Sequence, residues 1–128
     1  MKAQTARALA RARAALEKAQ KLLSLEMFDI AGRQAYIASL TAARALAFEQ
    51  TGKAPKTHKG VKSIMHQMVR QGLPIERSLL VVLEYGFELK NTADYGEAER
   101  IQMADAERVC QLASGFIERI EQLISPQG

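Results

Sequence analysis

The stretch that decides the fold is DIAGRQAYIASLTAARALAFEQ, residues 29–50. Its alanines, Ala31, Ala35, Ala38, Ala42 and Ala45, recur every three to four residues, the spacing of one face of an α-helix. Small side chains along such a face leave a narrow seam where another backbone can approach. Ile37, Leu40 and Phe48 add apolar bulk. Asp29 is placed to cap the start, because a carboxylate there accepts from free backbone N–H groups. Thr51-Gly52 ends the segment, with Gly52 as the left-handed cap. Pro55 keeps the following loop from continuing the helix.

On the N-terminal side, a helix is expected over residues 3–24. Leu9, Leu16 and Leu23 recur every seven residues, with Ala6, Ala12 and Ala19 beside them. Arg7, Arg11, Lys18 and Lys21 take the outer positions. On the C-terminal side, a short helix over 58–71 carries Val61, Ile64, Met65 and Met68 on one face, closed by Gly72. Pro74 breaks the chain, and a fourth helix runs over 75–91 with Leu79, Leu80, Leu83, Phe87 and Leu89 inward. Gly86 costs about 1 kcal/mol in a helix interior, which marks a place of close packing. A turn at 92–96 leads to a fifth helix over 99–124, striped by Ile101, Val109, Leu112, Phe116, Ile120 and Leu123. The fold class is therefore all-α, an antiparallel up-and-down bundle of four long helices and one short one. One domain spans 1–128, with 1–5 and 125–128 expected to fray.

The totals narrow the function classes. At 128 residues, 48% of them hydrophobic, the chain suits one domain with a real core. No apolar run approaches the roughly 18–20 residues that span a bilayer. Residues 1–5 lead into alternating Ala and Arg without an apolar signal core, so a cytoplasmic protein is expected. The single cysteine, Cys110, excludes an intramolecular disulfide and a thiolate metal cluster, and reads as a buried, inert thiol. His58 and His66 lack ligand spacing, so no metal or other cofactor is expected. Neither a phosphate-cradling glycine loop nor a nucleophile elbow is present.

Charge is unevenly spread. Residues 1–25 and 52–73 each carry a net +5, while 26–51, 74–95 and 96–128 carry −1, −2 and −3. Such an asymmetry suits a nucleic-acid surface, and equally suits two solvated basic faces.

Three polar constellations stand out. Lys53, Lys56, His58, Lys59 and Lys62 place cations beside a helix start that Thr57 can cap, an arrangement fit for phosphate or for plain solvation. Lys90-Asn91-Thr92-Ala93-Asp94-Tyr95 packs a cation, an amide, a carboxylate and a phenol into six residues. As a structural turn, it would use Asp94 on backbone N–H groups, the packed ring of Tyr95 and the permissive backbone of Gly96. Arg33, Tyr36 and Arg44 share roughly one side of the second helix, as a binding face or as a buried tyrosine between two surface arginines.

These segments, in this order, resemble HEPN domains (higher eukaryotes and prokaryotes nucleotide-binding). The resemblance rests on Phe28-Asp29-Ile30-Ala31-Gly32-Arg33-Gln34-Ala35-Tyr36 and Ala42-Ala43-Arg44-Ala45-Leu46. It continues through Lys56-Thr57-His58-Lys59-Gly60-Val61, Ala93-Asp94-Tyr95-Gly96 and Ala113-Ser114-Gly115-Phe116-Ile117. It covers about residues 6–124 and points to small stand-alone bacterial members. The resemblance implies a helical bundle, a homodimer, and a minimal nucleotidyltransferase partner as in toxin–antitoxin pairs. Many members are metal-independent ribonucleases whose motif is an Arg, four to six residues, then a His. On this chain those positions are Lys90, with polar Asn91 after it, and Tyr95, which makes Lys90, Asn91 and Tyr95 the implied catalytic residues. Lysine lacks the bidentate fork of arginine. A phenol with an ordinary pKa of about 10 is a poor base at neutral pH.

The function expected is an RNA- or nucleotide-binding module, with Lys56, His58, Lys59, Lys62, Arg33 and Arg44 as binding residues and Asp94 and Gly96 as turn residues. An active ribonuclease toxin and a non-enzymatic protein-interaction module stand as alternatives.

Overall fold

A computed structural model describes residues 1–124. Six α-helices follow in order: α1 (Ala3–Ser24), α2 (Phe28–Thr51), α3 (His58–Arg70), α4 (Arg77–Leu80), α5 (Val82–Asp94) and α6 (Met103–Ile124). A single 3-10 turn, Ala98–Arg100, precedes α6. The described residues contain no strand.

The alanine seam makes α2 the central element. Ala31, Ala35, Ala38, Ala42 and Ala45 are all buried, and α2 packs against α1, α3, α5 and α6. With the seam consumed inside the chain, it offers no face to a second copy. On α1, Leu9, Ala12, Leu16 and Ala19 fill the core, whereas Ala6 is exposed. Phe116, Ile117, Ile120 and Val109 of α6 close the other side, and Cys110 is buried among them. Burial pushes the Cys110 thiol up to about 11, so it stays protonated at neutral pH.

Several boundaries depart from expectation. The first residues, expected to fray, contact α2. The Lys2 backbone N–H donates to Glu49 at 3.0 Å, and its ammonium donates to the carbonyls of Phe48 and Glu49. These contacts bring the start of α1 to the end of α2. Asp29 is not the cap of α2: it lies within the first turn, behind Met27, where its charge still favours the helix dipole. The single helix expected over 75–91 is two, interrupted at Val81 and starting only after Glu76. Val81 keeps right-handed helical angles (φ −59°, ψ −18°), donates to the Arg77 carbonyl and accepts from the Tyr85 N–H, so the backbone conformation persists through the interruption. The fifth expected helix also starts later. Gln102 opens α6, and the Asp105 carboxylate reaches back to accept from its N–H at 2.9 Å, one of the two bonds of a capping box. The expected fraying at 125–128 lies outside the described residues.

Two glycines hold the site region together. A Cβ on Gly86 would lie 3.0 Å from Cβ and Cδ1 of Tyr36, which explains why α5 carries glycine in its interior. Gly96 (φ +83°) ends α5 in the left-handed region.

Candidate functional site

The end of α5 is built by its own backbone. Glu97 N–H donates to the Thr92 carbonyl at 3.0 Å and Gly96 N–H to the Ala93 carbonyl at 3.3 Å, the paired bonds of a Schellman ending. Helix α5 therefore continues through Asp94, three residues beyond its expected end, and the turn needs no side-chain cap. Asp94, expected to bind backbone N–H groups, instead takes two cations. Lys90 Nζ sits 2.9 Å from Oδ2, and Arg33 Nε, from the first turns of α2, sits 3.6 Å from Oδ1. The Lys90 hydrogen bond, and then the Arg33 charge, hold the Asp94 carboxyl below its usual range. Two cations on one carboxylate leave this corner net positive.

Tyr95 stands next to that cluster and is 80% exposed. Its ring does not pack into the turn, as the structural alternative required. Among the described residues its hydroxyl has no hydrogen-bond partner. Asn91 is half-buried, and its carbonyl accepts the Tyr95 N–H at 3.0 Å.

The constellation around the start of α3 divides into buried and free members. Thr57 caps α3 by accepting from Gly60 N–H at 3.0 Å. Behind it, the His58 ring stacks on Phe87 of α5 with centroids 3.8 Å apart and planes 10° apart. The Tyr36 hydroxyl lies 2.8 Å from His58 Nδ1. Glu84 sits 3.8 Å from Nε2 and takes the Lys62 ammonium at 2.6 Å. Burial is the main reason that the His58 imidazolium is disfavoured. Burial, then the Glu84 charge, pushes the Tyr36 phenol up to about 12. With both groups neutral, the Glu84 carboxylate beyond Nε2 favours the tautomer that carries its hydrogen there, which leaves Nδ1 to accept from the Tyr36 hydroxyl. His58 thus ties α2, α3 and α5 together. Lys62 is spent on Glu84, whereas Lys56 and Lys59 stand in solvent.

Arg33, Tyr36 and Arg44 do not converge. Arg33 goes to Asp94 and Tyr36 to His58, while Arg44 Nε donates to the Pro55 carbonyl at 2.8 Å. Arg44 also lines a cavity of about 70 Å³ with Arg11 of α1. That pairing has no signature in the sequence, because the two residues meet only once α1 folds back on α2. Among the described residues no group of His, Cys, Asp and Glu is arranged to hold a metal ion. No helix among them is long and apolar enough to cross a membrane.

The sequence matches the family model of the HEPN domain over residues 5–123. The chain belongs to the HEPN domain family. No curated protein matches it. As a HEPN domain it is a nucleotide- or RNA-related module. The segment expected to carry the family's motif, Lys90, Asn91 and Tyr95, lies at the corner just described.

Proposed function

We propose that this HEPN domain binds RNA or a nucleotide at the junction of α2 and α5, and acts there as a binding module without cleaving its ligand. The observation that carries the reading is Tyr95, 80% exposed beside two cations that share one carboxylate. An exposed aromatic ring is costly to leave in water and is a stacking platform for a base. Adjacent Arg33 and Lys90 supply the attraction for phosphate.

Catalysis fits the corner less well. Metal-free RNA cleavage needs a group that removes the 2′-OH proton near neutral pH. The carboxylate shared by these cations, Asp94, is held as a weak base by them. Neither His58 nor His66 forms a hydrogen bond or ion pair with Lys90, Asp94 or Tyr95, and His58 is committed to Tyr36.

The same reading includes a homodimer in the cytoplasm, with a minimal nucleotidyltransferase as partner in the manner of toxin–antitoxin pairs. Ile30 and Ile37, seven residues apart on α2 and flanking Arg33, remain exposed and support an apolar contact there. Incubating labelled single-stranded RNA with the protein in EDTA tests the reading. Salt-sensitive binding with intact RNA supports it. Cleavage abolished by Tyr95→Phe would instead make the chain a nuclease, and no binding at low salt would leave a protein-interaction module.

A further inference from the structure

The cavity at the other end of α2 is lined by two arginines from separate elements, Arg11 and Arg44. Four other arginines, Arg13, Arg33, Arg100 and Arg119, each pair with a carboxylate. Arg11 and Arg44 form no ion pair among the described residues, although they face one small space. Arg44 is also held in place, since its Nε is bound to the Pro55 carbonyl. Its terminal nitrogens have no partner among the described residues. A fixed guanidinium loses little freedom when it takes an oxyanion.

A further polar group lies against the same cavity. Thr5 is fully buried, and its hydroxyl lacks a hydrogen-bond partner among the described residues. The nearest carboxylate on α2, Glu49, does not line the cavity. The Lys2 backbone N–H holds it below its usual range, helped by the nearby Thr5 hydroxyl, which falls short of full hydrogen-bond geometry. Phe48 adds an apolar wall, which lowers the local dielectric and strengthens attraction to an anion.

Size and charge select the ligand. One water needs about 10–15 Å³ of such space, so about 70 Å³ admits one small tetrahedral group. Drug-sized ligands need roughly 300 Å³ or more, so a whole nucleoside does not enter. A phosphomonoester carries about −1.5 to −2 at neutral pH, matching two guanidinium groups better than a single carboxylate does. We propose that this cavity holds the terminal phosphate of a phosphomonoester, the rest of the ligand lying over the loop that carries exposed Lys53 and Lys56. A free mononucleotide and the 5′ end of an RNA share that chemistry.

This site is separate from the α2–α5 corner. Arg33 and Arg44 are eleven residues apart, about 16 Å along α2. The experiment has two arms: adenosine 5′-monophosphate against adenosine by calorimetry, and 5′-phosphorylated against 5′-hydroxyl RNA by anisotropy. Each arm uses wild type and Arg11→Gln, whose exposed side chain makes no hydrogen bond that the fold needs. A preference of about tenfold for the phosphorylated form, the scale of one charge-assisted hydrogen bond, is expected in one arm or both. It should shrink to about twofold or less in Arg11→Gln, and the arm that shows it names the source. Equal binding of both forms in both arms overturns the proposal, and so does a preference that survives Arg11→Gln. Because each comparison holds the Tyr95 corner constant, failure here leaves that corner's RNA binding to be judged on its own.

Discussion

The Tyr36 hydroxyl donates to Nδ1 of His58 across 2.8 Å, joining the middle of α2 to the first residue of α3. Phe87 of α5 lies flat against the other partner, so one hydrogen bond and one stacked pair fix three helices. Tyr36→Phe should cost about 1 kcal/mol for the lost bond, and up to about 3 if the His58 nitrogen stays buried and unpaired. Urea unfolding measures it. A variant as stable as wild type would mean that the bond contributes nothing net.

The same contact gives Gly86→Ala an unusual sign. On an exposed helix the change gains about 1 kcal/mol. Here the new methyl would meet Tyr36 at 3.0 Å, and His58 keeps that ring from moving aside. Overpacking of this kind costs about 1–3 kcal/mol, so a lowered melting temperature is expected.

Acid should weaken the fold in two steps. His58 has a folded pKa below its ordinary 6.5, so the unfolded chain takes up the proton first. Its contribution is complete above pH 6.5 and is lost as pH falls toward the lower folded value. Glu84 is also held below its ordinary 4.5, chiefly by the Lys62 hydrogen bond, and its contribution fades at still lower pH. At the alkaline end, stability should fall as pH rises from 10 toward the Tyr36 value of about 12. Replacing His58 by Gln should flatten stability against pH just below 6.5, read from chemical unfolding at several pH values. An unchanged slope would exclude His58 as its source.

Asp94→Asn separates scaffold from site at the motif corner. The Schellman bonds that end α5 come from the backbone, so melting should change little. Freed from their shared carboxylate, Arg33 and Lys90 should bind RNA more tightly, with a log–log salt slope steeper by up to about 0.7. Weaker binding would show that Asp94 positions the two cations for the ligand.

Lys56, Lys59 and Lys62 are unequal despite their common spacing. Lys62 is paired with Glu84 while the other two are exposed. Changing all three to Gln should lower the salt slope by about 1.4, two phosphate contacts' worth, rather than three. A drop near 2.1 would mean that Lys62 leaves Glu84 to meet RNA.

Much of the fold was legible from periodicity, because alanine seams and leucine repeats report directly on which faces are buried. Gly52, Thr57 and Gly86 were legible for the same local reason, each answering a cap or a close approach at its own position. The break at Val81 was not, since Val81 keeps helical angles and carries no proline or glycine signal. Site residues were harder to read. Sequence spacing grouped Arg33, Tyr36 and Arg44, but partners on α5, α3 and the 52–57 loop pull them apart. Conversely, Arg11 and Arg44 meet only through the tertiary fold. The roles of Asp94 and Tyr95 depended on whether the turn needed side chains, which its backbone bonds decide.

The most direct test of the α2–α5 corner is the affinity of single-stranded RNA for wild type and Tyr95→Ala, measured by anisotropy beside a thermal melt. Loss of one stacking platform, worth about 1–3 kcal/mol, predicts binding weaker by roughly 5- to 150-fold. The melt should be unchanged, because the ring is 80% exposed. Equal affinity in the two proteins would contradict the assignment of RNA binding to this corner.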